Sequence, residues 1–224
     1  MGQVLAGCFR EKQQDFDDYV VAISNPVFLD WEHRAANTKD EAAKTEQQHA
    51  FPLQIDDNLF ISNASAASNL EQLKELHISH VLNVAGPPAA WRPATVYHDA
   101  GIQYKMVDAI DEPTYNMLDH LQECRDFIEL ARSQPNGKVC VHCQAGCNRS
   151  GLIVAADYML AHRSNVLETV LHCRKCRGNS FLTNPGFQGQ LVALARKNKL
   201  LGPAPGTANC VVERWLWRKV QKEI

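Results

Sequence analysis

Apolar side chains fall along this chain in helical stripes and in short runs. From Met117, apolar positions fall at Leu121, Cys124, Ile128 and Ala131, which is +4, +7, +11 and +14 and one face of a helix over 116–133. Pro135-Asn136-Gly137 stops it. Ala66, Leu70, Leu73 and Leu76 make a similar stripe and predict a helix over Ser65–Leu76. Short strand-like runs stand at Ile55–Ile61, Val81–Val84, Gln103–Val107 and Lys138–His142. An apolar helix is expected over Gly151–His162, with further helices over Asn165–Arg177 and Pro185–Lys199. Strands alternating with helices imply an α/β fold with a short central mixed or parallel sheet flanked by helices.

The ends of the chain have a different texture. Residues 1–50 are polar, and Trp31–Ala50 is charged and poor in large apolar residues, so 1–50 is expected to be a helical or mobile extension. Residues 51–202 form the expected domain. Gly202–Gly206 reads as a linker, and Val211–Ile224 as a short helix whose Trp215 and Trp217 pack on that domain. No internal repeat is visible.

Composition narrows the function class. The chain has 224 residues and a formal net charge of -2, from 23 Lys+Arg against 25 Asp+Glu. A nucleic-acid partner is not expected, because it needs a basic excess to release phosphate counterions. No apolar run reaches the roughly 18 residues of a membrane span, and Asp157 interrupts the longest. The N-terminus lacks the apolar core of a secretion signal, so the eight cysteines read as thiols of a reducing, cytoplasmic compartment.

Candidate chemistry concentrates in His142-Cys143-Gln144-Ala145-Gly146-Cys147-Asn148-Arg149-Ser150, between a strand and a helix. A loop in that place aims successive backbone N–H groups into one concavity with a helix N-terminus behind it, an anion cradle. Cys143 supplies a nucleophile there. Arg149 returns to the same concavity, and its planar fork suits bidentate contact with phosphoryl oxygens. Cysteine, cradle and arginine together serve in-line phosphoryl transfer to sulfur, with a phosphocysteine as product.

The segment matches the HCxxGxxR[ST] signature and resembles the cysteine-based protein tyrosine phosphatases. The surroundings are similar to the small, atypical dual-specificity branch: Ile78-Ser79-His80-Val81-Leu82-Asn83-Val84 and Thr183-Asn184-Pro185-Gly186-Phe187 fall in family order, over roughly residues 52–200. The resemblance implies a phosphatase-like fold and hydrolysis of phosphotyrosine and phosphoserine/phosphothreonine on phosphoproteins, with no cofactor and no metal. It implies that Cys143 attacks, Arg149 clamps phosphate and Ser150 hydrogen-bonds the leaving sulfur. His142 would orient and acidify the thiol, and the amides of Gln144, Ala145, Gly146, Cys147, Asn148 and Arg149 would hold the phosphoryl group. An acid about thirty residues upstream protonates the leaving oxygen. Asp111 stands 143 − 111 = 32 residues upstream and is preferred to Asp108. Asn83 corresponds to a residue that buttresses the cradle. Ser62 and Asn148 depart from the residues commonest in relatives, often Gly at the first and Ser or Gly at the second. No segment resembles the Tyr-bearing loop that deepens tyrosine-specific pockets, so the pocket is expected to be shallow.

The same chain admits other readings. Cys140/Cys143 and Cys173/Cys176 are two C-x2-C pairs that could hold zinc, but their separation exceeds the usual gap and a helix intervenes. Cys147 or Cys124 could trap oxidised Cys143 as a disulfide. Gly2 and Cys8 are candidate acylation sites that would confer weak membrane association, although Ala6 departs from the myristoylation pattern. A phosphatase for a phosphoinositide, glucan or RNA 5′ end is the alternative activity; uncharged Gln144, Ala145, Cys147 and Asn148 count against a lipid headgroup. A phosphoprotein-binding scaffold is the alternative of a different class. Oligomeric state is left open.

Overall fold

The computed structural model describes residues 16–25, 52–212 and 217. Gly2, Cys8, Trp31–Ala50 and Trp215 lie outside them. Five strands form one sheet: β1 (Leu53–Gln54), β2 (Leu59–Ser62), β3 (His80–Asn83), β4 (Gln103–Met106) and β5 (Val139–His142). Their order is β1-β2-β5-β3-β4, and only the β1–β2 pair is antiparallel. The helices are α1 (residues 16–24), α2 (Ala64–Ala67), α3 (Leu70–Glu75), α4 (Ala94–Asp99), α5 (Leu121–Arg132), α6 (Arg149–His162), α7 (Val166–Arg177) and α8 (Pro185–Lys197).

Strand alternation divides the core. Leu59, Ile61, Leu82, Val139 and Val141 face one large cluster shared with α5 to α8, while Phe60, Val81 and Cys140 face a smaller one with Leu73, Ile78 and Tyr97. Every residue of β2, β3 and β5 is buried, as expected for parallel strands covered on both faces. Ser62 and Asn83 both pair with His142, so three strands end level beside the first residue of the signature loop. Open α/β sheets bind ligands at that carboxyl edge.

The expected helical face of Met117, Leu121, Cys124, Ile128 and Ala131 is buried, although its first turn is a 3₁₀ helix, Met117–His120. Two expectations are corrected. The run Ile55–Ile61 is not one strand: it is a turn followed by β2, because the Asp56 side chain accepts from the N–H groups of Asn58 and Leu59 and reverses the chain. The helix expected over Ser65–Leu76 is two helices, since Asn69 breaks out to cap the second by accepting from Gln72 N–H. Helix α4 had no apolar stripe to announce it; Tyr97 is its one buried residue.

Residues 16–24, within the stretch read as an extension, form a helix that joins the core. Tyr19, Ala22 and Ile23 lie at i, i+3 and i+4 and are buried in the large cluster. Tyr19 Oη donates to the Gly202 carbonyl at 2.6 Å, and Arg174 Nη1 donates to the Ile23 carbonyl at 3.0 Å. Trp217 and Val212 are buried on the same domain.

Candidate active site

The loop between β5 and α6 is shaped from outside. Ala64 N–H donates to the Gln144 carbonyl at 3.2 Å, and Leu182 N–H to the Cys147 carbonyl at 3.0 Å. Arg177 takes the two carbonyls between: Nη2 donates to Ala145 O and Nε to Gly146 O, both at 3.0 Å. In a trans peptide the carbonyl and the next N–H point in opposite directions. Four carbonyls turned outward therefore turn the amides of residues 145–148 inward. Gly146 has φ +66°, and a Cβ there would lie 2.7 Å from the Ser62 carbonyl oxygen. Only glycine fits that handedness and that approach to β2.

Cys143 sits at the floor of this loop, 1% exposed. Ser150, from the first turn of α6, donates Oγ–H to Cys143 Sγ at 3.2 Å. His142 is buried behind it, and its Nδ1–H reaches toward the Cys143 carbonyl at 3.4 Å. Burial pushes the His142 ring down to about 4, partly offset by that carbonyl, so the imidazole is neutral at neutral pH. The neutral ring can orient the backbone at Cys143 but brings no cation beside the thiol.

Arg149 and Asp111 meet across the loop. Arg149 Nη1 donates to the Ala109 carbonyl at 3.0 Å, and its Nε stands 3.7 Å from Asp111 Oδ2. Asn184 Nδ2 donates to Asp111 Oδ1 at 2.9 Å. The segment bearing Asp111 is pressed onto the start of α8, where a side chain at Gly186 would collide with the Pro113 backbone. Gln190 Nε2 secures it with a bond to the Tyr115 carbonyl at 2.7 Å. Asp108 points elsewhere, over Gly86, where a side chain would strike its carboxylate. Of the two candidate acids, Asp111 is the one brought to Arg149.

Not every expected contact is made. Asn83 is committed to the turn after β3: it donates to Gly86 O and Tyr104 Oη and accepts from Ala85 N–H. Its side chain reaches the signature segment through that turn, whose Val84 N–H donates to the His142 carbonyl. Cys140 and Cys143 lie in the two separate apolar clusters, on opposite faces of the sheet, so that C-x2-C pair does not converge. Burial pushes the Cys124 and Cys140 thiols up to about 12 and raises those of Cys173 and Cys176. Among the described residues, no three His, Cys, Asp or Glu side chains are grouped to hold a metal ion. Cys147 Sγ is half-buried and lies 3.6 Å from Arg177 Nη2.

Sequence reasoning missed Arg177 and the side-chain roles of Asn148 and Asn184. Arg177 carried a signal. Val166, Val170, Cys173 and Arg177 fall at +4, +7 and +11 on one apolar stripe of α7. A charged residue on a buried stripe needs fixed partners. Asn148 accepts from Thr183 N–H at 2.8 Å, Thr183 Oγ1 at 3.1 Å and Asn184 N–H at 3.0 Å.

A family model described as dual specificity phosphatase, catalytic domain, matches residues 59–197. Dual specificity protein phosphatase 26, from Bos taurus and from Homo sapiens, is 37% identical over 155 residues, covering 69% of this chain and 71% of that protein. The crystal structure of DUSP15 superposes with a TM-score of 0.58 and 23% identity, covering 78% of this chain and 97% of that one, and so supports the fold.

Proposed function

The chain belongs to the dual specificity phosphatase family, and from that premise we propose that Cys143, Arg149, Asp111, Ser150 and His142 carry its reaction. The reaction is hydrolysis of phosphate monoesters on proteins through a phosphocysteine intermediate. The supporting observation is the convergence of the Cys143–Ser150 contact at 3.2 Å with the Arg149–Asp111 pair at 3.7 Å around one anion-shaped loop.

In the first step Cys143 Sγ attacks phosphorus; the P–S bond forms as the P–O bond to the leaving hydroxyl breaks. The Arg149 fork and the loop amides, from Gln144 to Arg149, carry the charge of the equatorial oxygens. Asp111 delivers its proton to the leaving oxygen. In the second step the Asp111 carboxylate takes a proton from water as that water attacks phosphorus. Sulfur departs as a thiolate, and the Ser150 hydroxyl already directed at it stabilises that charge. His142, buried and neutral, orients the backbone at Cys143.

Phosphate release from phosphotyrosine, phosphothreonine and phosphoserine peptides and from soluble phosphoinositides, with Cys143→Ser as the blank, tests this reading. Peptide turnover that vanishes in the variant is expected. Lipid turnover alone would move the activity to a non-protein phosphate, and peptide binding without turnover would leave a scaffold.

A cytoplasmic location with weak membrane attachment through acyl groups on Gly2 and Cys8 rests on the N-terminal sequence alone. Among the described residues no helix is long and apolar enough to cross a membrane. Incorporation of a labelled myristate analogue, lost in Gly2→Ala, supports attachment; no incorporation overturns it.

A further inference from the structure

Asn148 stands inside the signature loop, yet its side chain faces away from the phosphate cradle. Its Oδ1 accepts three hydrogen bonds, two of them from the backbone N–H groups of Thr183 and Asn184. Those two donors identify the accepting atom as the amide oxygen. Asn184 is fixed in the same way. Its Oδ1 caps α8 by accepting from Gly186 N–H at 3.0 Å and Phe187 N–H at 3.4 Å, which leaves Nδ2 to donate to Asp111 Oδ1 at 2.9 Å.

We propose that Asn148 is a positioning residue for the general acid, latching the 183–184 turn so that Asn184 sets the rotation of the Asp111 carboxylate. The inference rests on the reading of Asp111 as that acid. With Oδ1 of Asp111 accepting from Asn184 Nδ2–H, the acid's proton belongs on Oδ2, the oxygen that stands 3.7 Å from Arg149 Nε. That is the side on which Arg149 would hold the phosphoryl group. Consecutive residues thus divide the work: Arg149 turns inward to the phosphate and Asn148 turns outward to the acid's support. A glycine at 148 has no side chain to reach the turn, and a serine places its one oxygen a bond nearer the backbone. The coupling therefore depends on the residue by which this chain departs from the commoner pattern.

A misplaced acid has a signature that a loosened phosphate site lacks. Proton delivery matters most when the leaving oxygen is basic, so turnover of phenyl phosphate should suffer more than turnover of dinitrophenyl phosphate. The reading is the ratio of kcat/KM for the two esters, dinitrophenyl over phenyl, in the full-length enzyme, because kcat/KM reports the step in which the leaving group departs. Asp111→Asn sets the scale, raising the ratio by about two decades. Asn148→Ala should raise it about tenfold, within the cost of small misplacements of a reacting group. Asn148→Asp keeps an oxygen acceptor for all three donors and should bring the ratio back to within about twofold, while its charge beside the phosphate raises KM. Asn184→Asp keeps the helix cap, removes the donor to Asp111 and leaves the signature loop untouched; it should also raise the ratio about tenfold, and it carries the test if Asn148→Ala does not fold.

If Asp111→Asn raises the ratio and both Asn148→Ala and Asn184→Asp leave it at the wild-type value, the latch is wrong and the Asp111 assignment stands. If Asp111→Asn leaves the ratio unchanged, the acid is elsewhere and the latch falls with it.

Discussion

Arg177 Nε donates to the carbonyl of Gly146 at 3.0 Å, joining the last turn of α7 to the crest of the signature loop. The same guanidinium also reaches Ala145 O at 3.0 Å, and Arg177 is buried. A planar fork can serve both carbonyls at once; an ammonium on a flexible stem cannot hold both in that geometry. Arg177→Lys should therefore lower kcat/KM about 10- to 100-fold, from hydrogen bonds to a charged donor worth about 1.5–3 kcal/mol. Steady-state kinetics on a phosphopeptide reads this directly. Unchanged kcat/KM would mean that the loop keeps its shape without the arginine.

The two candidate acids separate in kinetics as they do in space. Asp111 lies beside Arg149 and Asn184, while the Asp108 carboxylate lies over Gly86. Asp111→Asn should reduce kcat by about two to four decades, and Asp108→Asn only a few-fold. The reverse ranking would transfer the acid to Asp108.

Protonation of His142 should couple to stability with a definite sign. The ring titrates near its ordinary 6.5 when unfolded and at about 4 when folded. Between those values the unfolded chain binds a proton that the folded chain refuses, so stability rises with pH and is lost as pH falls from about 6.5 toward 4. A difference of roughly 2.5 pKa units corresponds to about 3 kcal/mol. Urea unfolding from pH 7 to pH 4.5 should show this slope, and His142→Asn should flatten it. His80, also lowered by burial, contributes the same sign and remains in the variant. An unchanged slope in His142→Asn would mean that this ring is not held neutral.

Helix α1 should behave as part of the catalytic domain. Ile23 is 1% exposed in the large cluster, and its carbonyl receives Arg174 Nη1. Ile23→Ala should cost about 2–5 kcal/mol of unfolding free energy, the range for truncating a buried isoleucine. A single unfolding transition, lowered in midpoint, is expected. No change in midpoint would detach α1 from the cooperative unit.

Much of the reaction centre was legible because its chemistry is contiguous. His142, Cys143, Gly146, Arg149 and Ser150 lie within nine residues, and a strand–loop–helix context gives each a direction. Short apolar runs likewise disclosed β3, β4, β5 and part of β2, and the 3.6 period disclosed the helical face from Met117 to Ala131, since burial is written in run length and residue spacing. The short elements were different. A two-residue strand such as Leu53–Gln54, or a helix with the single buried residue Tyr97, leaves too few positions for a period to show.

What the tertiary structure alone decided is the set of contacts between distant segments. Position along the chain already favours Asp111 over Asp108; what spacing does not encode is how α8 presses against Pro113 and brings Asp111 to Arg149 and Asn184. The roles of Arg177, Asn148 and Asn184 arise because chain folding brings groups thirty or more residues away within hydrogen-bond reach. The chain by itself determined which reactive groups stand together in the signature loop, because reactivity belongs to residue type and local backbone. The fold determined which groups hold them in place, because support is a matter of distance.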